Sequence, residues 1–250
     1  MNVLAQFQTI NDNDKASVVR KLMQSSTPDF DFFYLVGLSV LMATLGLISD
    51  SAAIVIGSML LAPLMYPILG IALGLVMSNG EVLNRSFWTL SKSFAIGLSL
   101  AVFAAFLFGD AASFTTHEVL IRTEPSLLHF LVAFIAGLAV SFALAQPQWS
   151  ETLPGIAISV ALIPPLAAIG VGIAALDMEI VTGSVVLLTI NLLGIVFAAM
   201  ISFSLMNLYQ KQNIAASTIK KENERLEEEK KVIEQNKLEQ SKNSNQETKI

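Results

Sequence analysis

Two apolar stretches of this chain are each long enough to cross a bilayer, and each carries two prolines near its middle. Residues 53–74 read AIVIGSMLLAPLMYPILGIALG, with Pro63 and Pro67, and residues 155–175 read GIAISVALIPPLAAIGVGIAA, with Pro164 and Pro165. A proline inside a helix removes a backbone donor and clashes with the preceding turn, at a cost of about 3 kcal/mol or more. A Pro-Pro pair is harder still to keep helical, because the residue before a proline is pushed towards extended backbone. Hydrocarbon tolerates irregular backbone only where it is buried in protein or lines a polar cavity. The spacing therefore predicts two proline-broken helices, with local unwinding at both pairs.

Of the 250 residues, 54% are hydrophobic and 14% charged, where a soluble domain carries about 25% charged residues. The fold class is an all-α integral membrane protein. Six apolar segments lie near 32–49, 51–77, 93–109, 127–145, 153–175 and 180–208, against the roughly 20 residues that a span needs. A topology in which a broken segment re-enters from the same side is the alternative. Residues 1–31 form a polar segment in which Val18, Val19, Leu22 and Met23 mark one face of a short amphipathic helix. Residues 209–250 form a charged tail, read as helical or disordered. Within it Ile219, Leu226 and Ile233 repeat every seven residues, the spacing of a short coiled coil, although a solvated single helix fits equally.

Basic residues set the expected orientation. Lys15, Arg20, Lys21, Arg85, Lys92, Lys211, Lys220 and Lys221 fall on one side of six spans, with 78–92 read as a loop. Arg122 is the single basic residue opposite them. Both termini are expected in the cytoplasm, in a bacterial plasma (inner) membrane. Tyr34, Trp88, Trp149 and Tyr209 fall at cytoplasmic span ends, as interfacial rings do; Tyr66, between Pro63 and Pro67, is the exception.

Several functions find no support. The chain has no cysteine, hence no disulfide or thiolate site. It has no basic patch with interleaved aromatics, so nucleic acid is not an expected partner. No basic n-region with an apolar run marks a signal peptide. His117 and His129 are far apart, and neither has a matching Cys, Asp or Glu cluster at the spacing that a metal needs. No nucleophile with a nearby base is visible, so neither an enzyme nor a cofactor is expected.

Each half of the membrane region, about 32–109 and 127–208, holds three spans with the broken one in the middle. Pro63 aligns with Pro164, and at that offset Ser58 meets Ser159. Three is odd, so the second half would insert inverted, as in a 3+3 transporter repeat.

The block TPDFDFFYLVGLSVLMATLGLISDSAAIVIGSMLLAPLMYPILGIALGLV resembles the signature of the bacterial hydrophobic membrane proteins of domain-of-unknown-function family 389. LPGIAISVALIPPLAAIGVGIA and TGSVVLLTINLLGIVFA resemble later segments of the same family. The resemblance covers about residues 27–205 and implies a membrane fold, without supplying an activity.

The candidate substrate-binding residues are Ser58, Pro63, Tyr66 and Pro67 at the first break, Ser159, Pro164 and Pro165 at the second, and Thr189 and Asn191 in the sixth segment. Half-helix ends present amides to anions and carbonyls to cations. The structural alternatives are proline kinks satisfied by neighbouring helices and interhelical hydrogen bonding by Asn191. Asp50, between Ser49 and Ser51, reads as a gate or as the N-cap of the second span. No charge lies in mid-span, which disfavours a proton relay. The expectation is a transporter or channel-like protein for a small neutral or anionic solute, with the lipid bilayer and further copies of the chain as partners. The other reading is a scaffold or sensor that recruits a cytoplasmic partner through its tail.

Overall fold

The computed structural model describes residues 12–24, 29–144, 152–211, 213–221, 224 and 225. Among these residues the secondary structure is wholly helical. Helix α1 spans Asp12–Gln24, α2 Phe30–Ile48, α3 Ala52–Met59, α4 Met65–Val76, α5 Gly80–Phe108, α6 His117–Leu120, α7 Leu127–Leu144, α8 Thr152–Ala174 and α9 Met178–Leu205. A further helix covers 213–221. Helices α2, α5, α7 and α9 are long and apolar enough to cross a membrane, and the chain is a membrane protein. Its polarity is inverted accordingly. Ser39, Thr44, Ser58, Ser86, Ser93, Ser141 and Ser184 are fully buried, while Phe103, Phe106, Leu127, Val132 and Ile135 are exposed.

The first predicted break is present: the helix stops at Met59 and resumes at Met65. The amides of Leu60 and Leu61 close back onto the carbonyls of Gly57 and Ser58 at 3.3 and 3.2 Å. Ser39 on α2 donates its hydroxyl to the Ser58 carbonyl at 2.6 Å. The break thus keeps its polar groups paired, as a low-dielectric setting demands.

The second predicted break is absent, and this corrects the reading of two unwound helices. Helix α8 runs unbroken through Pro164 and Pro165. Every residue from Leu162 to Gly172 is buried, and α8 packs against α2, α3, α4, α5, α7 and α9. Surrounding contacts override the local preference. At the first break Leu60 and Leu61 are exposed, so nothing there compels a helix. The predicted loop at 78–92 is likewise helical. Asn79 caps α5 by accepting from the amides of Glu81 and Val82 at 3.1 Å, and Arg85 pairs with Glu81 one turn on.

Three tight hairpins share one design. In each, a non-glycine residue takes left-handed backbone just after a helix: Asp50, Ser78 and Leu176. The next amide, of Ser51, Asn79 or Asp177, reaches back to the carbonyl of Gly46, Gly74 or Gly172 at 2.9 Å, a Schellman closure. A glycine is needed at that carbonyl because the returning helix crosses it directly. A Cβ on Gly74 would lie 2.8 Å from the Leu83 amide nitrogen.

At the base, Val18, Val19, Leu22 and Met23 of α1 are at most 3% exposed, packed with α4 and the 3-10 turn Leu208–Lys211. Ala215 and Ile219 join the same apolar cluster. The heptad partners Leu226 and Ile233, and Trp149, lie outside the described residues.

Gly74→Ala is expected to cost about 1–3 kcal/mol by overpacking, read as a lower thermal midpoint in detergent. Gly80→Ala, where a Cβ meets nothing within 4 Å, is expected to be neutral or stabilising.

Candidate functional site

Helix α8 places Pro164 and Pro165 beside a cavity of about 220 Å³, lined also by Met59, Ile121, Arg122, His129, Leu187 and Asn191. Two larger hollows, of about 470 and 500 Å³, open elsewhere. One is lined by Val76, Phe197, Met200, Ile201, Ser204, Leu205 and Tyr209, the other by apolar and aromatic residues of α2 and α5. The first offers the hydroxyls of Ser204 and Tyr209, whereas the smaller cavity gathers a guanidinium, an imidazole and an amide. A few well-placed polar groups in an apolar setting are what a small-solute site needs.

The cation arrives from outside the helices. Residues 109–126 connect α5 to α7, and this connection is seated against the end of α2 and the beginning of α9. A Cβ on Gly183 would overlap the Thr123 carbonyl, so the absence of a side chain there lets the loop seat against α9. Ser184 donates to the Arg122 carbonyl at 3.3 Å, and Thr116 donates to the Leu47 carbonyl at the end of α2 at 2.7 Å. The two anchors fix both ends of the short α6.

Arg122 pairs with Glu118, Nη1 to Oε2 at 2.9 Å, with both side chains largely buried. The same Nη1 also donates to the Glu118 carbonyl. Burial pushes the guanidinium pKa down and the Glu118 carboxylate opposes that shift, so the charge persists. His129, in the first turn of α7, accepts at Nδ1 from the Ser126 amide at 3.2 Å. A backbone amide can only donate, so the ring proton sits on Nε2. At the start of the α5–α7 connection, Ser113 hydrogen bonds hold the Asp110 carboxyl below its ordinary pKa.

Proline has no amide proton, so the carbonyls of Val160 and Ala161, four residues before Pro164 and Pro165, lose their intrahelical donors. The cavity thus sets the Arg122 guanidinium, the His129 imidazole and the Asn191 amide, whose buried Oδ1 has no hydrogen-bond partner among the described residues, against the proline-bearing turn of α8. That combination can hold a small polar or anionic solute.

The sequence-predicted residues divide. Pro164, Pro165 and Asn191 share the cavity. Ser58 is buried one residue from Met59, with its hydroxyl bonded to the Val55 carbonyl at 2.6 Å. Pro63 sits in the break itself. Tyr66 and Pro67 are in the first turn of α4, and the Lys21 Nζ lies 5.9 Å from the Tyr66 ring centroid. Thr189 is exposed and donates to the Val185 carbonyl at 2.8 Å, turned from the cavity. The side chain of Ser159 lies outside the described residues. Asp50 does not cap the second span: Ser51 holds the N-cap position of α3, and the Asp50 carboxylate accepts from the Glu118 amide at 2.9 Å. It caps α6 across the outer turn.

Arg122 and His129 are the polar cavity residues that sequence reasoning missed. The available signal was Glu118 four residues before Arg122, an (i, i+4) pair holding the single basic residue of its side.

The fold and this cavity define an all-helical membrane protein of the polytopic kind. The chain belongs to the family described as Domain of unknown function (DUF389), which matches residues 59–197. An uncharacterized protein of the archaeon Methanocaldococcus jannaschii is 28% identical over 167 residues, 67% of this chain and 51% of that protein. The chain thus spans about half the length of that curated relative. The relative is archaeal, so it lends nothing to the bacterial setting expected from the sequence. No solved structure matches the chain.

Asp50→Ala is expected to cost about 1 kcal/mol, the scale of a lost N-cap. Hydrogen exchange at the Glu118 amide should quicken, while the Ser51 amide, held by Gly46, should not change.

Proposed function

We propose that the protein passes a small neutral or anionic solute across the plasma membrane, as a transporter or channel-like protein. The observation that carries this reading is the cavity at which Pro164, Pro165 and Asn191, all near mid-helix, meet Arg122 from the α5–α7 connection. Among the described residues no carboxylate lines the cavity, and Glu118 already balances Arg122, which suits a neutral or singly charged anionic solute over a multivalent cation.

In this reading there are six spans: α2, α3 with α4, α5, α7, α8 and α9. Both termini lie in the cytoplasm, on the side that carries the excess of lysine and arginine. The spans form two inverted halves, and two features support this. The capped turns at Asn79 and Asp177 are alike in every hydrogen bond. The packing order repeats as well, since α2 meets α5 as α7 meets α9, and α5 meets α8 as α9 meets α4. The turns set a register of Asn79 with Asp177, which puts Pro67 opposite Pro165 and the buried Ser86 and Ser93 opposite the buried Ser184 and Asn191. The alignment of Pro63 with Pro164 is out of this register by three residues, and the irregular segment before Met65 takes up the difference.

Reconstituted into liposomes, the protein is expected to speed the flux of at least one small test solute, among nitrate, acetate and urea, above that of empty vesicles. Asn191→Leu should cut that flux about tenfold, the scale of losing a buried hydrogen-bonding group, whereas Thr189→Val should leave it unchanged. Removal of residues 226–250 should also spare it; a scaffold working through the tail would lose its function instead. Absence of flux for every solute, with Asn191→Leu silent in cells, would sink the reading. Because the chain has no cysteine, single cysteines at Ser78 and Ala111 report topology directly: they are expected to react with an impermeant maleimide from opposite sides.

A further inference from the structure

The cavity beside Pro164 and Pro165 is electrically balanced, although a cation lines it. Arg122 stands on its wall, but Nη1 of that residue is paired with the Glu118 carboxylate at 2.9 Å, and the two side chains are only 13% and 12% exposed. Met59, Ile121, Leu187 and the prolines bring no charge, and Asn191 brings a neutral amide. An anion entering this space adds one negative charge to low-dielectric surroundings, which is costly unless a further cation meets it.

Among the described residues, His129 is the other titratable group on the cavity wall, and its surroundings suit both charge states. In the neutral ring Nδ1 accepts from the Ser126 amide at 3.2 Å, and the Ser126 Oγ stands 2.8 Å from the same nitrogen. A hydroxyl donates or accepts by rotating. When a proton from solvent forms an N–H bond at Nδ1, the Ser126 hydroxyl turns to accept it. The Ser126 amide, at an exposed position, then takes a water instead. The ring becomes a cation without leaving its place. The other charged groups around it are differently engaged. Glu118 pairs with Arg122, the Asp50 carboxylate accepts from the Glu118 amide, and Asp177 caps α9. His117 and Glu124 on the connection and Glu179 on α9 are exposed, and α8 contributes no titratable residue.

We propose that the cavity binds a small monoanion together with one proton, carried by His129, so that solute and proton cross as a neutral pair. The crossing rests on the transport reading, whereas the joint binding is a property of the cavity alone. Arg122 and the imidazolium supply donors to the anion, and the charge of the ring cancels the charge that the anion brings. By linkage the two ligands help each other equally: the anion holds the proton on the ring, and the proton tightens the anion. Glu118 makes the proton necessary, because without its carboxylate Arg122 balances the anion unaided.

The test measures nitrate binding to the full chain in detergent by isothermal titration calorimetry, in buffers of different ionisation enthalpy. The range runs from about pH 5 to about pH 8, where an imidazole takes its proton. Nitrate keeps its charge throughout, so a pH dependence belongs to the protein. Affinity is expected to be about tenfold higher at the acid end than at the alkaline end, a typical size for a coupling between two ligands, with proton uptake on binding. His129→Gln should abolish the pH dependence and the uptake together, leaving the weak affinity of the alkaline end. Glu118→Gln should bind nitrate at the alkaline end as tightly as the parent does in acid. Ser126→Ala should flatten the profile, Ser126→Thr should keep it, and so should His117→Gln. An unchanged profile in His129→Gln, an unchanged alkaline affinity in Glu118→Gln, or no nitrate binding at any pH would each overturn the proposal. In liposomes, nitrate entry should acidify the lumen. Proton-coupled binding without flux of any solute would leave the joint site standing and remove the transport reading; flux of nitrate or urea with pH-independent nitrate affinity would remove the joint site alone.

Discussion

Two prolines in succession delete two amide donors and push the residues before them away from helical backbone, so a helix through Pro164 and Pro165 has to be held from outside. Six helices surround α8, and no residue between Leu162 and Gly172 is exposed. Dense packing of this kind is rigid and leaves little freedom for rearrangement. The cost of the prolines is met by contacts, and their chemical consequence survives: two carbonyls on the most buried helix without intrahelical donors. The remainder of the bundle is arranged around that helix, with α2 and α5 on one flank and α7 and α9 on the other.

The first proline pair shows the opposite outcome from the same local physics. Pro63 interrupts a segment whose outer residues, Leu60 and Leu61, are exposed, and there the chain unwinds. The polar groups released are then absorbed nearby, most clearly where Ser39 meets the Ser58 carbonyl. At the break the Gly57 and Ser58 carbonyls are already bonded, whereas the prolines of α8 lie beside a cavity. This inverts the expectation that unwinding marks the binding position, and of the two proline pairs expected at the site it leaves the second beside the cavity.

Much of the fold was legible in the residues. The apolar runs located the long helices, and the amphipathic face of Val18, Val19, Leu22 and Met23 is the buried face of α1. The fate of each proline pair was not legible, because burial from six directions is a tertiary property with no trace in local spacing. The start of α5 was missed because Arg85 and Lys92 were read as loop charges. Yet Asn79 two residues before Glu81 is an N-terminal signal in its own right, and Asp177 before Glu179 repeats it. For the site, Asn191 stood out as an amide in a lipid-length helix. Arg122 did not, since a lone cation between spans reads as a surface residue until Gly183 and Ser184 are seen to admit its loop.

The same contrast bears on how such a bundle could work. If the halves correspond through Asn79 and Asp177, they are alike in their turns and in their buried polar residues, and unlike in the proline-bearing span and in what covers it. One half has a continuous, fully packed helix beside an open cavity, and the other has a jointed helix beneath a seated amphipathic segment. A molecule with identical halves would have no preference between its two faces. The asymmetry lies in the proline-bearing spans and in the segments seated on them, while the Schellman-closed hairpins and the glycine crossings behind them are tightly fitted.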